Sequence, residues 1–156
     1  MKKFRFVILG AGNIAEKFAN AVSLINDCEV AAIGSRSAER AEAFAKKFNI
    51  EASFGNYEEM LDSIRPDAAY IATTHNTHVK LIKLCIGKNI PVIREKTMCM
   101  NANEAEEVCS LAKEKNTFLM EAMWSRFLPA VRKAKEWIAE GKIGNPVMAQ
   151  LQIGNR

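Results

Sequence analysis

Residues 4–15 read FRFVILGAGNIA, and this stretch decides the fold class. Its first six residues form a near-continuous apolar run, which is typical of a strand buried on both faces of a parallel sheet. A Gly-x-Gly-x-x-Ala turn then opens a helical segment, whose N-terminus suits a pyrophosphate. Since the turn stands between a predicted strand and a predicted helix, it indicates dinucleotide binding rather than a simple glycine-rich loop. The turn residues expected to contact the cofactor are Gly10, Ala11, Gly12, Asn13 and Ile14.

Apolar runs and helical patterns alternate from this turn to about residue 122. Further strands are predicted at 30–34, 52–54, 68–73, 90–93 and 117–120. Helical spacing fills the segments between them, with Ser37 and Asn101 as predicted N-caps. Repeated alternation of strand and helix predicts an α/β fold, a doubly wound parallel Rossmann sheet with right-handed crossovers.

The pattern changes after residue 122. Pro129 opens a helix with one apolar face, which Gly141 is expected to end, and apolar and polar residues alternate over 147–153 as in a strand with one wet face. We therefore expect a Rossmann domain over 1–122. We expect residues 123–156 to be the first helix and strand of a truncated α+β domain for substrate binding and dimerisation.

Composition narrows the classes of partner. The 22 basic residues are scattered among 18 acidic ones, so there is no basic stripe and we expect no nucleic-acid partner. No apolar run reaches membrane-spanning length, and we expect no membrane partner. The four cysteines lie far apart, which fits a reducing compartment, and the prediction is a cytoplasmic protein.

The end of the second predicted strand bears on the choice of cofactor. An acid that would hold the ribose of NAD is missing there, and the chain reads Gly34-Ser35-Arg36-Ser37 with Arg40 one turn later. Guanidinium and hydroxyl groups suit a 2′-phosphate. Ser35, Arg36 and Arg40 are therefore predicted to bind NADP, with NAD as the alternative. The segment also reads as a capped helix with a solvated arginine.

Two polar clusters follow later predicted strands. Thr73, Thr74, His75, Asn76 and His78 lie where open α/β sheets bind ligands, and we expect them to contact the cofactor. The two histidines lack a third ligand, so we expect no metal.

The second cluster is Arg94-Glu95-Lys96-Thr97. Lys96 is a candidate proton donor to a substrate oxygen, and Glu95 a candidate ligand of the nicotinamide ribose. By residue type alone, a surface ion pair explains this cluster equally well.

Taken together, these motifs resemble the glucose–fructose oxidoreductase / inositol dehydrogenase family, in particular its dimeric dihydrodiol dehydrogenase-like branch. The resemblance rests on the glycine turn, on residues 35–37, on 74–78 and 95–96, and on EAMWSRF at 121–127. It implies that Lys96 is the catalytic lysine beside the nicotinamide and that Arg36 faces the adenosine phosphate. It also implies that Trp124 and Arg126 lie near cofactor and substrate, although by residue type Trp124 is more often a packing residue.

The chain departs from the family pattern in three respects. Thr97 replaces a usual proline, and Arg94 stands where a small or apolar residue is common. Family members are also about twice as long, and a histidine of their second domain completes the catalytic group. The resemblance therefore implies that this chain alone binds cofactor better than it turns over substrate.

We expect an NAD(P)-dependent oxidoreductase that transfers hydride between NADP and a hydroxyl or carbonyl carbon of a sugar, polyol or diol. The expected partners are this small-molecule substrate and, in the full-length protein, further copies of itself. The alternative is a non-catalytic, redox-sensing dinucleotide-binding module, because one fold serves both functions. Lys96 discriminates between them, since a sensor has no need of an ammonium group at the site of hydride transfer.

Overall fold

The computed structural model describes residues 2–150 and residue 152. Six parallel strands form one sheet in the order β3-β2-β1-β4-β5-β6. The strands are β1 (Phe4–Leu9), β2 (Cys28–Gly34), β3 (Ala52–Phe54), β4 (Ala68–Ile71), β5 (Val92–Arg94) and β6 (Leu119–Glu121). The helices are α1 (Asn13–Ser23), α2 (Ala38–Phe48), α3 (Tyr57–Ile64), α4 (His78–Gly87), α5 (Ala102–Glu114) and α6 (Pro129–Ala139). This is the predicted Rossmann fold.

The core fills both faces of the sheet. Successive side chains of β1 point to opposite faces, so Val7 and Leu9 enter one cluster while Ile8 enters the other. The first cluster packs against α4 through Ile82 and Ile86. The near-continuous apolar sequence of β1 is therefore explained by helices on both sides of the strand.

Side-chain caps start three of the helices. Ser37 Oγ accepts a hydrogen bond from Arg40 N (3.2 Å), and Asn101 Oδ1 accepts one from Glu104 N (2.9 Å). Both predicted caps are confirmed. Asn56 caps α3 in the same way by accepting from Glu58 N (2.8 Å), and it was missed because α3 is short.

Three strands end at residues other than those predicted from the apolar runs. The strand expected at 68–73 ends at Ile71, whereas β5 extends to Arg94 and β6 to Glu121. Parallel register explains the extension, because Ile71 pairs with Arg94 and Arg94 pairs with Glu121. In β5 and β6 the backbone pairing continues one residue past the apolar run, so the apolar pattern alone could not predict where these strands end.

The chain divides into two compact units, Met1–Ala122 and Met123–Arg156. The second contains a short 3₁₀ helix (Trp124–Phe127) and α6, which begins at Pro129 and is followed by Gly141 at φ +70°. Residues 147–150 form no strand, and Leu151 and Ile153 of the expected strand lie outside the described residues. A lone strand has no partner for its backbone groups, which accounts for the difference. Across the described part of the chain, every helix is too short or too polar to cross a membrane.

Candidate cofactor site

The glycine turn joins β1 to α1 at the carboxyl edge of the sheet. Gly10 adopts φ +107°, and a Cβ placed there would lie 2.8 Å from the carbonyl oxygen of Ala72. Gly12 is the N-cap of α1, and a Cβ at this position would lie 4.0 Å from the same oxygen. Gly10 is thus required by the protein itself, whereas Gly12 leaves open space beside the N-terminus of α1. Open space at a helix N-terminus is what a pyrophosphate needs.

A cavity of about 830 Å³ lies beside this turn. Its size falls within the usual range for small-molecule sites, roughly 300–1,000 Å³. The structure brings eight of the predicted residues together on its wall: Gly10, Ala11, Gly12, Ser35, Arg36, Arg40, Thr73 and Thr74. The wall lies between the carboxyl ends of β1 and β4, whose following helices, α1 and α4, pack on opposite faces of the sheet. Open α/β sheets bind ligands at this position.

Several lining residues were not predicted from the sequence. They come from the turn after β3, from the start of α3, from the turn between β4 and α4, and from α4: Gly55, Asn56, Tyr57, Glu58, Thr77, Lys80, Leu81 and Leu84. All of them except Thr77, which belongs to the 74–78 motif, come from parts of the chain without a recognisable motif. They could have been predicted only from the strand order, because each segment follows the carboxyl end of a strand that lies beside β1 or β2.

Arg36 and Arg40 lie at the β2 end of the cavity. Arg36 is exposed, and Arg40 Nη2 donates to the carbonyl oxygen of Ala11 (3.2 Å), so this side chain crosses toward the glycine turn. Ser35 is buried, and its Oγ accepts from Ser37 N (3.3 Å). Burial raises the pKa of the Tyr57 phenol, while Arg36 acts in the opposite direction. This end of the cavity therefore holds two cations and a neutral phenol.

Residues 73–77 form the wall at the end of β4. Thr77 Oγ1 donates to Thr73 Oγ1 (2.7 Å), and Thr74 Oγ1 donates to Asn76 Oδ1 (2.8 Å). His75 Nε2 lies 3.2 Å from the carbonyl oxygen of Lys96. Asn13, Ile14, His75 and Asn76 do not line the cavity, so their predicted cofactor contacts stay predictions.

The structure corrects the role expected of His78. His78 is the first residue of α4, and its side chain is fully buried, so a cofactor cannot contact it. His78 Nε2 lies 3.1 Å from the carbonyl oxygen of Thr73, and Nδ1 lies 3.1 Å from that of Thr97. This histidine links the cofactor wall to the segment that carries Lys96.

The segment after β5, which we call the Lys96 turn (residues 95–98), adjoins the same edge of the sheet. Glu95 N donates to the carbonyl oxygen of Ile71 (3.0 Å), and Lys96 is exposed. The peptide bond between Lys96 and Thr97 is cis. Neither Glu95 nor Lys96 lines the cavity, and the turn lies beside its wall at the end of β4.

The surface ion pair considered for this cluster is wrong. Arg94 is fully buried, and its Nη2 lies 3.4 Å from Oε1 of Glu121 rather than pairing with Glu95. Glu95 Oε1 instead accepts a hydrogen bond from the Tyr70 hydroxyl. The register of β5 and β6 brings Glu121 beside Arg94, which explains why neighbours in sequence were misleading.

Tyr70 is a further partner of Glu95, which the sequence did not reveal. It is buried and stacked on Phe18, with ring centroids 3.7 Å apart. Burial, followed by the hydrogen bond to Glu95 and its charge, raises the Tyr70 pKa far above its usual value, so the phenol remains a donor at neutral pH.

We expect Tyr70→Phe to lower the free energy of unfolding by about 1.5–3 kcal/mol, because a buried bond to a charged group is lost. Chemical denaturation would measure the loss, with Phe18→Leu as a control that keeps the hydroxyl. A Tyr70→Phe variant as stable as the original chain would show that the bond to Glu95 contributes nothing.

Two further predicted features stay predictions. Trp124 and Arg126 belong to the second unit, where both are exposed. Over residues 2–150, no group of three or more histidine, cysteine or acidic residues is arranged to hold a metal ion.

Comparison with known proteins decides the family. The model of the oxidoreductase family with an NAD-binding Rossmann fold matches residues 4–123. The chain belongs to this family. The resemblance drawn from the motifs is thereby confirmed.

The relatives include trans-1,2-dihydrobenzene-1,2-diol dehydrogenases. The Mus musculus protein is 40% identical over 96% of this chain and 46% of its own length. The Homo sapiens protein is 32% identical, with the same shares covered. The chain thus spans about half the length of the relatives that it matches.

Solved structures share the fold. An oxidoreductase from Agrobacterium radiobacter, in complex with NAD⁺, L-tartaric acid and magnesium, superposes with a TM-score of 0.88 at 22% identity over 93% of this chain and 42% of its own. The scyllo-inositol dehydrogenase from Lactobacillus casei, with bound NAD(H) and scyllo-inositol, gives 0.85 at 21% identity over 92% and 43%.

Proposed function

We propose that this chain is the cofactor-binding part of an NADP-linked dehydrogenase that acts on a CH–OH carbon of a diol, polyol or sugar. The cavity beside the glycine turn carries the proposal, because it joins a helix N-terminus to two arginines at the carboxyl edge of the sheet. The NAD-binding family and the diol dehydrogenases among the relatives support it. We also propose that the second unit begins a substrate domain and that the whole protein is a homo-oligomer.

The cavity fits a dinucleotide. The wall at Gly12 is free of side chain, so the backbone is open to a pyrophosphate at the start of α1. Leu81 and Leu84 supply apolar surface, as an adenine ring requires. The wall at the end of β4 then leads to the Lys96 turn, which would place a nicotinamide ring near Lys96.

The preference for NADP rests on charge. Arg36 and Arg40 share the end of the cavity that follows β2, where an acid would otherwise hold the ribose of NAD. A guanidinium binds phosphate through two parallel hydrogen bonds. Glu58 also lines the cavity; Lys88 lies 3.6 Å from its carboxylate but pairs more closely with Asp62 (2.5 Å), so the two arginines stand against one acid whose charge is only partly compensated.

Lys96 is the proposed catalytic residue. NADP supplies or accepts the hydride when it is bound. The Lys96 ammonium group would donate a hydrogen bond to the substrate oxygen and transfer a proton as that oxygen changes between hydroxyl and carbonyl. Glu95, held by Tyr70, would bind the nicotinamide ribose beside it. One relative is named for a 1,2-diol and one solved structure for an inositol, and both compounds carry hydroxyl groups on neighbouring carbons. These names support a substrate with neighbouring hydroxyl groups.

Arg36→Ala tests the cofactor preference. We expect Kd for NADP⁺ to rise about 10- to 100-fold, because one charged hydrogen-bonding group is worth about 1.5–3 kcal/mol. Kd for NAD⁺ should change less than about twofold, a free energy near 0.4 kcal/mol. Isothermal titration calorimetry would measure both constants.

The control is Lys46→Ala, which removes a cation from the far end of α2, where Lys46 pairs with Glu42 (2.7 Å). It should leave both constants unchanged. Equal affinities for NADP⁺ and NAD⁺ in the original chain would overturn the preference.

A further inference from the structure

Arg94 is a charged side chain in the core, directly before the Lys96 turn. None of its surface is exposed, and it is the largest such side chain in the described structure. Burying a guanidinium costs several kcal/mol unless good partners compensate. The pairing here is incomplete, since Nε has no hydrogen-bond partner among the described residues. A buried guanidinium with an unpaired nitrogen is unusual, and the segments that its partners contact suggest why Arg94 is there.

One partner of Arg94 holds the Lys96 turn. Arg94 Nη2 lies 3.4 Å from Oε1 of Glu121, and the same oxygen accepts a hydrogen bond from Met98 N (2.7 Å). Arg94 therefore fixes a carboxylate that anchors the backbone two residues after Lys96. Loss of the guanidinium would leave that carboxylate half-buried without its cation.

The other partner holds the wall of the cofactor cavity. Arg94 Nη1 lies 3.2 Å from Nδ1 of His78, whose Nε2 faces the carbonyl oxygen of Thr73. His78 Nδ1 also lies 3.1 Å from the carbonyl oxygen of Thr97, so the same ring edge faces both Arg94 and the Lys96 turn. Burial lowers the pKa of His78, and the charge of Arg94 acts in the same direction. The uncharged ring therefore adds no second positive charge beside Arg94, and it joins the guanidinium to the carbonyl groups of Thr73 and Thr97.

We propose that Arg94 is a positioning residue that sets the Lys96 turn against the cofactor wall, acting through Glu121 on one side and His78 on the other. This inference rests on the proposed role of Lys96 beside the nicotinamide. Two polar contacts from one rigid, planar group, to Glu121 and to the His78 ring, define both a distance and an orientation, which a lysine or an apolar side chain does not.

The test measures how well NADP⁺ shields Lys96. Pyridoxal 5′-phosphate labels accessible lysines after borohydride reduction, and peptide mass spectrometry reads each site separately. With NADP⁺ at about ten times its Kd, labelling of Lys96 should fall about tenfold in the original chain. Lys83, which pairs with Glu107 on the helical surface, is the internal reference and should not change.

In Arg94→Met, with NADP⁺ set to about ten times the Kd of the variant, we expect protection of Lys96 to fall below about twofold. Arg94→Lys should recover part of the protection, because it restores a cation to Glu121. A residue that merely stabilises the fold would change the melting temperature and leave the protection intact.

Glu121→Gln is the second variant, for use if Arg94→Met fails to fold. Its amide oxygen still accepts from Met98 N, but the charge that faces Arg94 is gone, and protection should again fall. Unchanged protection of Lys96 in the folded variants would overturn the role of Arg94. If Lys96 were unprotected even in the original chain, the proposed function of Lys96 would fail instead.

Discussion

Replacing Lys96 with methionine should lower kcat of the whole protein by about 10²–10⁴-fold, the range that one positioned proton donor contributes. Methionine keeps an unbranched stem close in length to that of lysine and removes the ammonium group with its charge and its donors. Since Lys96 is exposed and outside the cavity wall, neither folding nor NADP⁺ affinity should change much. Steady-state rates with a vicinal diol, together with calorimetric Kd values for NADP⁺, would check both parts.

Lys80→Met is the matched control for this loss of charge. Lys80 belongs to α4 and lines the cavity, which Lys96 does not. Its loss should affect NADP⁺ binding rather than kcat. A Lys96→Met protein with its original kcat would favour the alternative function, a redox-sensing module that binds the dinucleotide without reacting it.

Local features of the sequence predicted the fold and the cofactor turn. The apolar run of β1, the glycine turn and the start of α1 are consecutive, and each reports its structure without reference to distant residues. The caps at Ser37 and Asn101 are local in the same sense. Such features are legible because the interaction and the residues that make it lie within one turn of chain.

The polar network around Lys96 was not predictable, because its partners are distant in sequence. Arg94 and Glu121 are 27 residues apart and meet only through the register of β5 and β6. Tyr70 and Glu95 are 25 apart and meet across β4 and β5. A buried arginine also contradicts what residue type suggests, since charged residues are almost never fully buried unless they are paired.

Substitutions at the two glycines of the cofactor turn should have different effects, on stability at Gly10 and on NADP⁺ binding at Gly12. Gly10→Ala places a Cβ 2.8 Å from the carbonyl oxygen of Ala72 and forces alanine into φ +107°. The positive φ alone costs about 1–2 kcal/mol, and the backbone contact adds to it. We therefore expect a loss of about 2 kcal/mol or more in the free energy of unfolding, measured by chemical denaturation.

Gly12→Val should instead separate binding from stability. Gly12 has φ −108° and ψ 176°, which any residue adopts, and the nearest protein atom to an added Cβ is 4.0 Å away. The loss of a favourable cap costs about 1 kcal/mol. The valine methyl groups would occupy the space proposed for the pyrophosphate, so Kd for NADP⁺ should rise about 100-fold, or about 2.7 kcal/mol.

Gly87→Ala is the control for both variants, because nothing lies within 4 Å of an added Cβ there. It should leave NADP⁺ affinity unchanged. A Gly12→Val chain that still bound NADP⁺ with its original affinity would place the phosphates elsewhere. The pyrophosphate proposed for this cavity would then not contact the open backbone of Gly12 at the N-terminus of α1.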